Sequence, residues 1–398
     1  MVSEQSKPVT WPSKLNQVPK EVFVRQDIFE RELEVVFRGP EWHPVAHESE
    51  IPKPGDFKTF QFAGVPLLIA RDDGGTVRVL YNSCTHRGTQ LETAVSGNKR
   101  HFECPYHRWL FSNKGDLVSC PKRGEGYVPG FNMKDYALHQ PRTELFKGLI
   151  FVSFSKAAPP LNEFLGEISD TLAAVMGGDG RLKLLGYQKV VFATNWKAYN
   201  DSDSYHAGLL HGAFRALNWA GGKGSQVVSS LRGHIAATSE LSLPRDGGSR
   251  LLKDTSLLQF KGEDPKAGSR VVKMFPVFVA VKHLDVINLR FANPLTVDST
   301  EVHYAYFGLA DDSEEMLTHR VRQASNFTGP SGFVSMEDAS VFQRIHVGSG
   351  APGVAAFQKG VSDEYRLASD YMQNEESSNI PKWEYYRKAM GQVREVLR

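Results

Sequence analysis

Two short segments carry the residue types that bind metals. Cys84-Thr-His86 and Cys104-Pro-Tyr-His107 each place one thiolate close to one imidazole, and seventeen residues separate the two knuckles. Sulfur donors of this kind favour iron-sulfur chemistry or zinc. In a two-iron cluster the cysteines can hold one iron and the histidines the other, giving a one-electron relay whose potential lies well above that of an all-cysteine cluster. A Cys₂His₂ zinc site is the competing reading, although such sites usually pair cysteine with cysteine and histidine with histidine along the chain. A second group lies in NWKAYNDSDSYHAGLLH, from Asn195 to His211, which contains Asp203, His206 and His211. On a helix Asp203 and His206 share a face. His211 lies well past one full turn from His206, so joint ligation needs a bent helix or a ligand at its end.

The residues around these positions form longer patterns. CTHRG followed by CPYHRWLF resembles the Rieske [2Fe-2S] signature, including Gly88 and Trp109, and Cys120-Pro121 stands where related domains place a proline-bearing loop over the cluster. Cys120 matches no ligand position and reads as a buried, inert thiol. NWK followed by D-x-Y-H-x₄-H resembles the catalytic segment of the Rieske non-haem iron aromatic ring-hydroxylating oxygenases. The resemblance implies His206 and His211 as ligands of a mononuclear Fe(II), and Asp203 as a carboxylate linking that iron to a cluster. A 2-His-1-carboxylate site needs one more acid. GPSGFVSMEDASVFQ is similar to the family's third-ligand region, and by register Asp338 takes the ligand position, with Glu337 as the neighbouring alternative. Read locally, Ser335-x-x-Asp338 is a capping box at a helix start. The chain departs from several ring dioxygenases in being shorter between Lys197 and Asp203, with Tyr199 and Asn200 where those often have Glu-Asn.

The surrounding periodicity describes an α+β protein. Ile28, Phe29, Leu33, Val36 and Phe37 recur at helical spacing in an N-terminal segment. From Trp42, short strands divided by Pro54-Gly55 and by the DDGG turn at 72–75 read as a small antiparallel β domain with both knuckles on loops. A helix is expected over 161–176. Strands follow at 187–193, 234–238, 271–281, 286–292 and 302–310, most joined by loops too short for parallel crossovers, so the second sheet is read as antiparallel and covered by helices. Those helices are expected at 196–219, 313–327, 332–345, 363–373 and 383–393, and GGKG at 221–224 reads as a loop. The organisation is therefore residues 1–40 as a helical segment packing on the catalytic domain, 41–156 as the Rieske domain and 157–398 as the catalytic domain.

Composition sets the outer limits. A formal net charge of +2, with 23% of residues charged and signs interspersed, offers no surface for nucleic acid or membranes. The N-terminus lacks a signal-peptide pattern and no apolar run reaches membrane-spanning length, so a cytoplasmic protein is expected. Three cysteines make no disulfide framework. The resemblance implies a terminal oxygenase component, or α subunit, that uses O₂ to hydroxylate an aromatic substrate once or twice. Electrons would come from NADH through a separate reductase or ferredoxin, since the chain has no convincing Gly-x-Gly-x-x-Gly unit. It also implies a homotrimer, with or without a small β subunit. An O- or N-demethylating monooxygenase uses the same metals. A pure electron carrier and a zinc-stabilised interaction protein are the readings from other classes. Phe275 to Val281, Phe291 and Phe307 are candidate pocket residues. Arg290 and Lys282 are candidates to anchor a substrate carboxylate, with solvent-facing alternation as the plainer role.

Overall fold

The computed structural model describes residues 8–122, 124–201, 221–229, 231–241, 253–262, 268–358, 371–372 and 375–395. The chain forms two compact units, one of residues 39–158 and the other of residues 1–38 with 159–398. Among the described residues no helix is long and apolar enough to cross a membrane.

The 39–158 unit is built from short antiparallel strands. β1 (His43–His47), β2 (Asp56–Phe62), β3 (Val65–Arg71), β4 (Val77–Tyr81) and β5 (Ser96–Asn98) come first, then β6 (His101–Glu103), β7 (Leu110–Ser112) and β8 (Leu117–Ser119), and finally β9 (Arg142–Phe146) and β10 (Leu149–Ser153). They make three sheets, ordered β4-β3-β2-β5, β8-β7-β6 and β9-β10-β1. The alternation of FKTFQF sends Phe57 inward to a core that also holds Leu68, Leu80, Phe102, Phe111 and the two knuckle cysteines. Both knuckles therefore sit where loops return to a packed apolar centre.

The first α-helix of the other unit is α1 (Gln26–Glu32), followed by a π-helical turn at Leu33–Phe37. The helix expected over 161–176 is interrupted. Gly166 adopts φ +48°, dividing α2 (Leu161–Leu165) from α3 (Ser169–Val175). After β11 (Leu182–Phe192), α4 (Trp196–Asp201) opens the helix expected from 196; residues 202–220 lie outside the described residues. β12 (Gly221–Val228), β13 (Ile235–Leu241), β14 (Ser269–Met274), β15 (Phe278–His283), β16 (Val286–Thr296) and β17 (Ser299–Leu309) follow, with α5 (Glu314–Gln323) and α6 (Phe333–Gly348). β18 (Tyr371–Met372) and α7 (Asn379–Ala389) lie further along the chain. The eight strands form one antiparallel sheet ordered β11-β17-β16-β15-β14-β13-β12-β18.

Three expectations are corrected here. The strand expected over 271–281 is two strands, because Phe275-Pro276 turns the chain so that Met274 pairs with Phe278. Proline has no N–H to give a central ladder. GGKG is not a loop but the start of β12, with an irregular register between Gly221 and Gly224. Of the helix expected at 363–373, Tyr371–Met372 pair as a strand with Ser225 and Gln226, and 363–370 lie outside the described residues.

A buried histidine fixes one pH dependence of this unit. His234 is fully buried; its Nδ1 accepts from the Phe275 N–H at 3.0 Å, so the remaining proton sits on Nε2, and its ring lies 4.7 Å from that of Phe164. Burial, helped by the charge of Arg232, pushes its pKa down to about 3. Unfolding releases the ring to its ordinary value near 6.5, so the unfolded chain binds the extra proton first. His234 thus contributes stability that is whole above about pH 6.5 and drains away as pH falls toward 3, about 2 kcal/mol of it by pH 5. His283, lowered to about 4 by burial and by Arg290, acts in the same direction. We expect His234→Gln, which keeps an acceptor and cannot become charged, to flatten the loss of thermal stability between pH 7 and pH 5. An unchanged slope would place the acid sensitivity elsewhere.

Candidate functional site

The two knuckles are built alike. In the first, the Cys84 N–H donates to the Thr89 carbonyl and the Gly88 N–H returns to the Cys84 carbonyl, both at 2.8 Å. In the second, the Cys104 N–H donates to Trp109 and Arg108 returns to Cys104, at 2.8 and 2.9 Å. Each tight loop needs a left-handed residue at the same place: Gly88 has φ +76° and Arg108 φ +62°. Asn82 pins the far end of the first loop, its amide oxygen accepting from the Leu91 and Glu92 N–H groups and its Nδ2 donating to the Glu92 carbonyl at 2.7 Å.

This construction brings the four side chains together in pairs. Cys84 and Cys104 are buried, with their thiols within hydrogen-bonding reach, and burial followed by the Cys104 thiol holds Cys84 above the usual thiol range. The His86 and His107 rings lie 4.6 Å apart. Trp109 stacks on His86 at 4.7 Å, and Phe131 and Tyr136 pack on Trp109 in turn. Desolvation of the His86 ring and the charges of His107 and Arg87 lower its pKa, which favours the neutral imidazole a metal binds. His107 Nδ1 is a buried polar atom with no hydrogen-bond partner among the described residues. Among those residues no three His, Cys, Asp or Glu side chains converge as they would around a single ion. One sulfur pair and one ring pair, with a ring nitrogen lacking a partner, is a donor set that fits a two-iron cluster. Cys120 is buried in the same core, as expected of an inert thiol.

In the other unit, Asp203, His206 and His211 lie outside the described residues. The helix that leads to them is closely tied. Asn195 caps α4, its Oδ1 accepting from the Lys197 N–H at 3.0 Å while its Nδ2 donates to the Val297 carbonyl at 2.7 Å. Trp196 Nε1 and Lys197 Nζ both donate to the buried carboxylate of Glu32, at 2.7 and 2.6 Å, and Tyr386 Oη donates to it at 2.5 Å. Glu32 carried no sequence signal, since its partners are 164, 165 and 354 residues away.

Asp338 is on α6. The helix starts at Phe333 with Gly332 as its N-cap, and Ser335 is already inside it, donating to the Thr328 carbonyl at 3.0 Å. Ser335-x-x-Asp338 is therefore not a capping box. Gly332 of GPSG is spatially required, whereas Gly329 is crowded first by the movable ends of the Gln188 and Tyr306 side chains. A Cβ on Gly332 would meet the Phe327 carbonyl at 2.4 Å, and one on Gly329 would meet Gln188 Oε1 at 2.5 Å. Asp338 and Glu337 are both partly buried, but Asp338 is the one whose charge is felt by Tyr199, Arg290 and Tyr304.

Arg290 and Lys282 are not the solvent-facing alternates that strand spacing favoured. Lys282 is buried, and Arg290 donates from Nε to Asn288 at 2.8 Å and from Nη2 to the Thr328 carbonyl at 3.3 Å, its guanidinium 4.9 Å from the Tyr304 ring centre. Burial works against the charge of Arg290, and Tyr304, Tyr199 and Asp338 outweigh it, raising its pKa. Register explains the geometry: Arg290 pairs with Tyr304 and Val279, which puts those side chains on one sheet face. Phe291 and Phe307, proposed pocket residues, alternate onto the opposite face and are buried core.

Comparison with known proteins places both units. Residues 41–137 match the Rieske [2Fe-2S] domain, and residues 180–370 match the ring hydroxylating alpha subunit catalytic domain. The chain is 33% identical to terephthalate 1,2-dioxygenase, terminal oxygenase component subunit alpha 2, from Comamonas sp., covering 96% of this chain and 98% of that protein. It is also 33% identical to the large oxygenase component of salicylate 5-hydroxylase from Ralstonia sp., covering 84% and 85%. The structure of naphthalene 1,2-dioxygenase from Rhodococcus sp. bound to indole superposes with a TM-score of 0.80 at 25% identity, covering 94% of each chain. The two domains bring with them a [2Fe-2S] cluster and a mononuclear iron, with O₂ as co-substrate. An oxidoreductase fold with a sulfur-and-imidazole pair in one unit and an acid-bearing helix in the other thus has its family: the chain belongs to the Rieske non-haem iron ring-hydroxylating oxygenases, as a terminal oxygenase α subunit.

Proposed function

We propose that Cys84 and Cys104 hold one iron of the cluster and His86 and His107 the other, and that His206, His211 and Asp338 hold the mononuclear Fe(II) at which an aromatic ring is hydroxylated. The observation that carries the first half is the pairing of two buried thiols beside two imidazoles, one with a buried Nδ1 that has no partner among the described residues. Asp338, on a glycine-led helix facing Tyr199 and Arg290, supports the second half. When bound, the cluster supplies a stored electron and the mononuclear iron supplies open positions for dioxygen.

The chain's own residues do the rest. Trp109 and its aromatic neighbours cover the His86 imidazole of the first site, while Asn195 and Glu32 fix the helix that precedes the second in the chain. Asp203 is assigned as the carboxylate that accepts hydrogen bonds from His206 and from His107 of the partner subunit, setting both rings in the orientation their ligand nitrogens need. That contact requires a ring of subunits, so the assembly is proposed as a head-to-tail homotrimer, with or without a small β subunit. Electrons arrive from NADH through a separate reductase or ferredoxin. The cytoplasm is the compartment this reading needs, because the knuckle cysteines must stay thiolates.

The test is metal counting joined to chemistry. The purified protein is expected to carry three irons and two acid-labile sulfides per chain, to show a Rieske electron-spin-resonance signal after dithionite, and to place ¹⁸O from ¹⁸O₂ into an aromatic product. Zinc in the knuckles, or two irons and no oxygenation with any aromatic compound, would sink the reading.

A further inference from the structure

The aromatic cover of the knuckle site hangs on one polar contact. The Trp109 indole lies nearly parallel to the His86 ring, 12° from it with centroids 4.7 Å apart, and is itself 3% exposed. Its N–H must therefore be satisfied from within the fold, and Nε1 donates to Tyr127 Oη at 3.1 Å. Tyr127 belongs to a different loop, after β8. There its ring packs on Phe131 at 4.4 Å, and its hydroxyl reaches the Pro121 carbonyl at 3.4 Å and the Cys120 thiol. Tyr136 packs on Trp109 as well, edge-on at 5.5 Å, but by its ring alone. One phenol oxygen thus ties the loop beyond β8 to the indole that lies on a candidate iron ligand. His86 is otherwise exposed, so Trp109 is what screens it on that face.

We propose that Tyr127 is a positioning residue for the cluster: by accepting from the Trp109 N–H it fixes the indole on His86, and so sets the plane of that imidazole and holds the reduction potential down. The inference rests on the reading of His86 and His107 as ligands of one iron. With two ferric ions, two sulfides, two thiolates and two neutral imidazoles the oxidised cluster is uncharged, and one electron, taken up with no bond made or broken, leaves it singly negative. Water favours the charged form, so covering one face of a ligand ring with an apolar side chain disfavours reduction. Among the contacts of Trp109 the hydrogen bond is the directional one, and the ring contacts fix distance more than rotation. A buried N–H left without an acceptor is costly, so without the phenol oxygen the indole turns toward water and uncovers His86.

The experiment is a redox titration of the purified holoenzyme at pH 7, with mediators and dithionite, followed by the electron-spin-resonance signal of the reduced cluster. Tyr127→Phe keeps the ring and removes only the oxygen. It is expected to leave the cluster's iron and sulfide content unchanged and to shift the one-electron equilibrium about threefold to tenfold toward the reduced form, roughly 30–59 mV upward. Tyr136→Phe, which takes a hydroxyl from the same aromatic group, is expected to stay within about twofold of the wild type. Trp109→Phe, which keeps a ring over His86 and has no N–H, is expected to raise the potential too, and adding Tyr127→Phe to it to raise it no further. An unmoved or lowered potential in Tyr127→Phe, an equal shift in Tyr136→Phe, or additive shifts in the double variant overturns the proposal. If Tyr127→Phe retains no cluster, Trp109→Phe decides: a raised potential supports the proposal and an unmoved one overturns it. A wild type without a Rieske signal removes the ligand reading itself, whereas a wild type with the signal and an unmoved Tyr127→Phe removes this inference alone.

Discussion

Asp338→Ala is expected to lower the iron content from three per chain to two, to leave the visible and electron-spin-resonance spectra of the cluster unchanged, and to cut oxygenation by at least about 100-fold. The size follows from the coordination: with two imidazoles and no carboxylate, Fe(II) loses both its hardest donor and the charge that offsets its own. Glu337 provides the internal control. Adjacent residues on a helix point about 100° apart, and the electrostatic influence on Tyr199, Arg290 and Tyr304 comes from Asp338. Glu337→Ala should therefore keep the third iron, and the reverse pattern would transfer the ligand role to Glu337. Gly332→Ala tests the same helix without touching a donor: a Cβ 2.4 Å from the Phe327 carbonyl forces the start of α6 to move, and iron occupancy should fall with it.

What could be read before the structure was local in the chain. Each knuckle is a loop of a few residues whose hydrogen bonds close on themselves, so the nearness of Cys84 to His86 and of Cys104 to His107 is legible from spacing, while a shared two-iron cluster is what the resemblance adds. Asp338 is a harder case, because the same letters satisfy a helix cap; only the position of Gly332 as N-cap removes that reading. Arg290 and Lys282 misled for a different reason. Alternation assigns a charged residue to water, but helices or loops can cover both faces of a sheet, and Lys282 is buried. The break at Pro276 follows from proline's missing donor, a local signal that the apolar run of 271–281 masks. Glu32 was beyond reach, since nothing in a helix of QDIFERE marks which acid will turn inward to meet Trp196, Lys197 and Tyr386.

That buried acid carries the largest stability effect we expect outside the metal sites. Glu32 and Lys197 are both essentially inaccessible, and Trp196, Lys197 and Tyr386 all donate to the one carboxylate. Removing it in Glu32→Ala strands an ammonium in the interior, at a cost of about 3–5 kcal/mol. Glu32→Met with Lys197→Met removes both charges and should recover most of that loss, because the pair's desolvation already offsets much of its attraction. Calorimetry of the catalytic unit's unfolding transition compares the wild type with these two variants. A pH series adds a sign. Burial already lowers the pKa of Lys197 against the pull of Glu32, and without Glu32 the lowering deepens. The folded alanine variant then holds its proton less well than the unfolded chain, so stability rises with pH up to the ordinary lysine value of about 10.4. Because α4 directly precedes the segment of His206 and His211 in the chain, the alanine variant is expected also to bind less mononuclear iron at pH 7, and the double methionine variant to restore it; equal iron in all three proteins would confine Glu32 to stability.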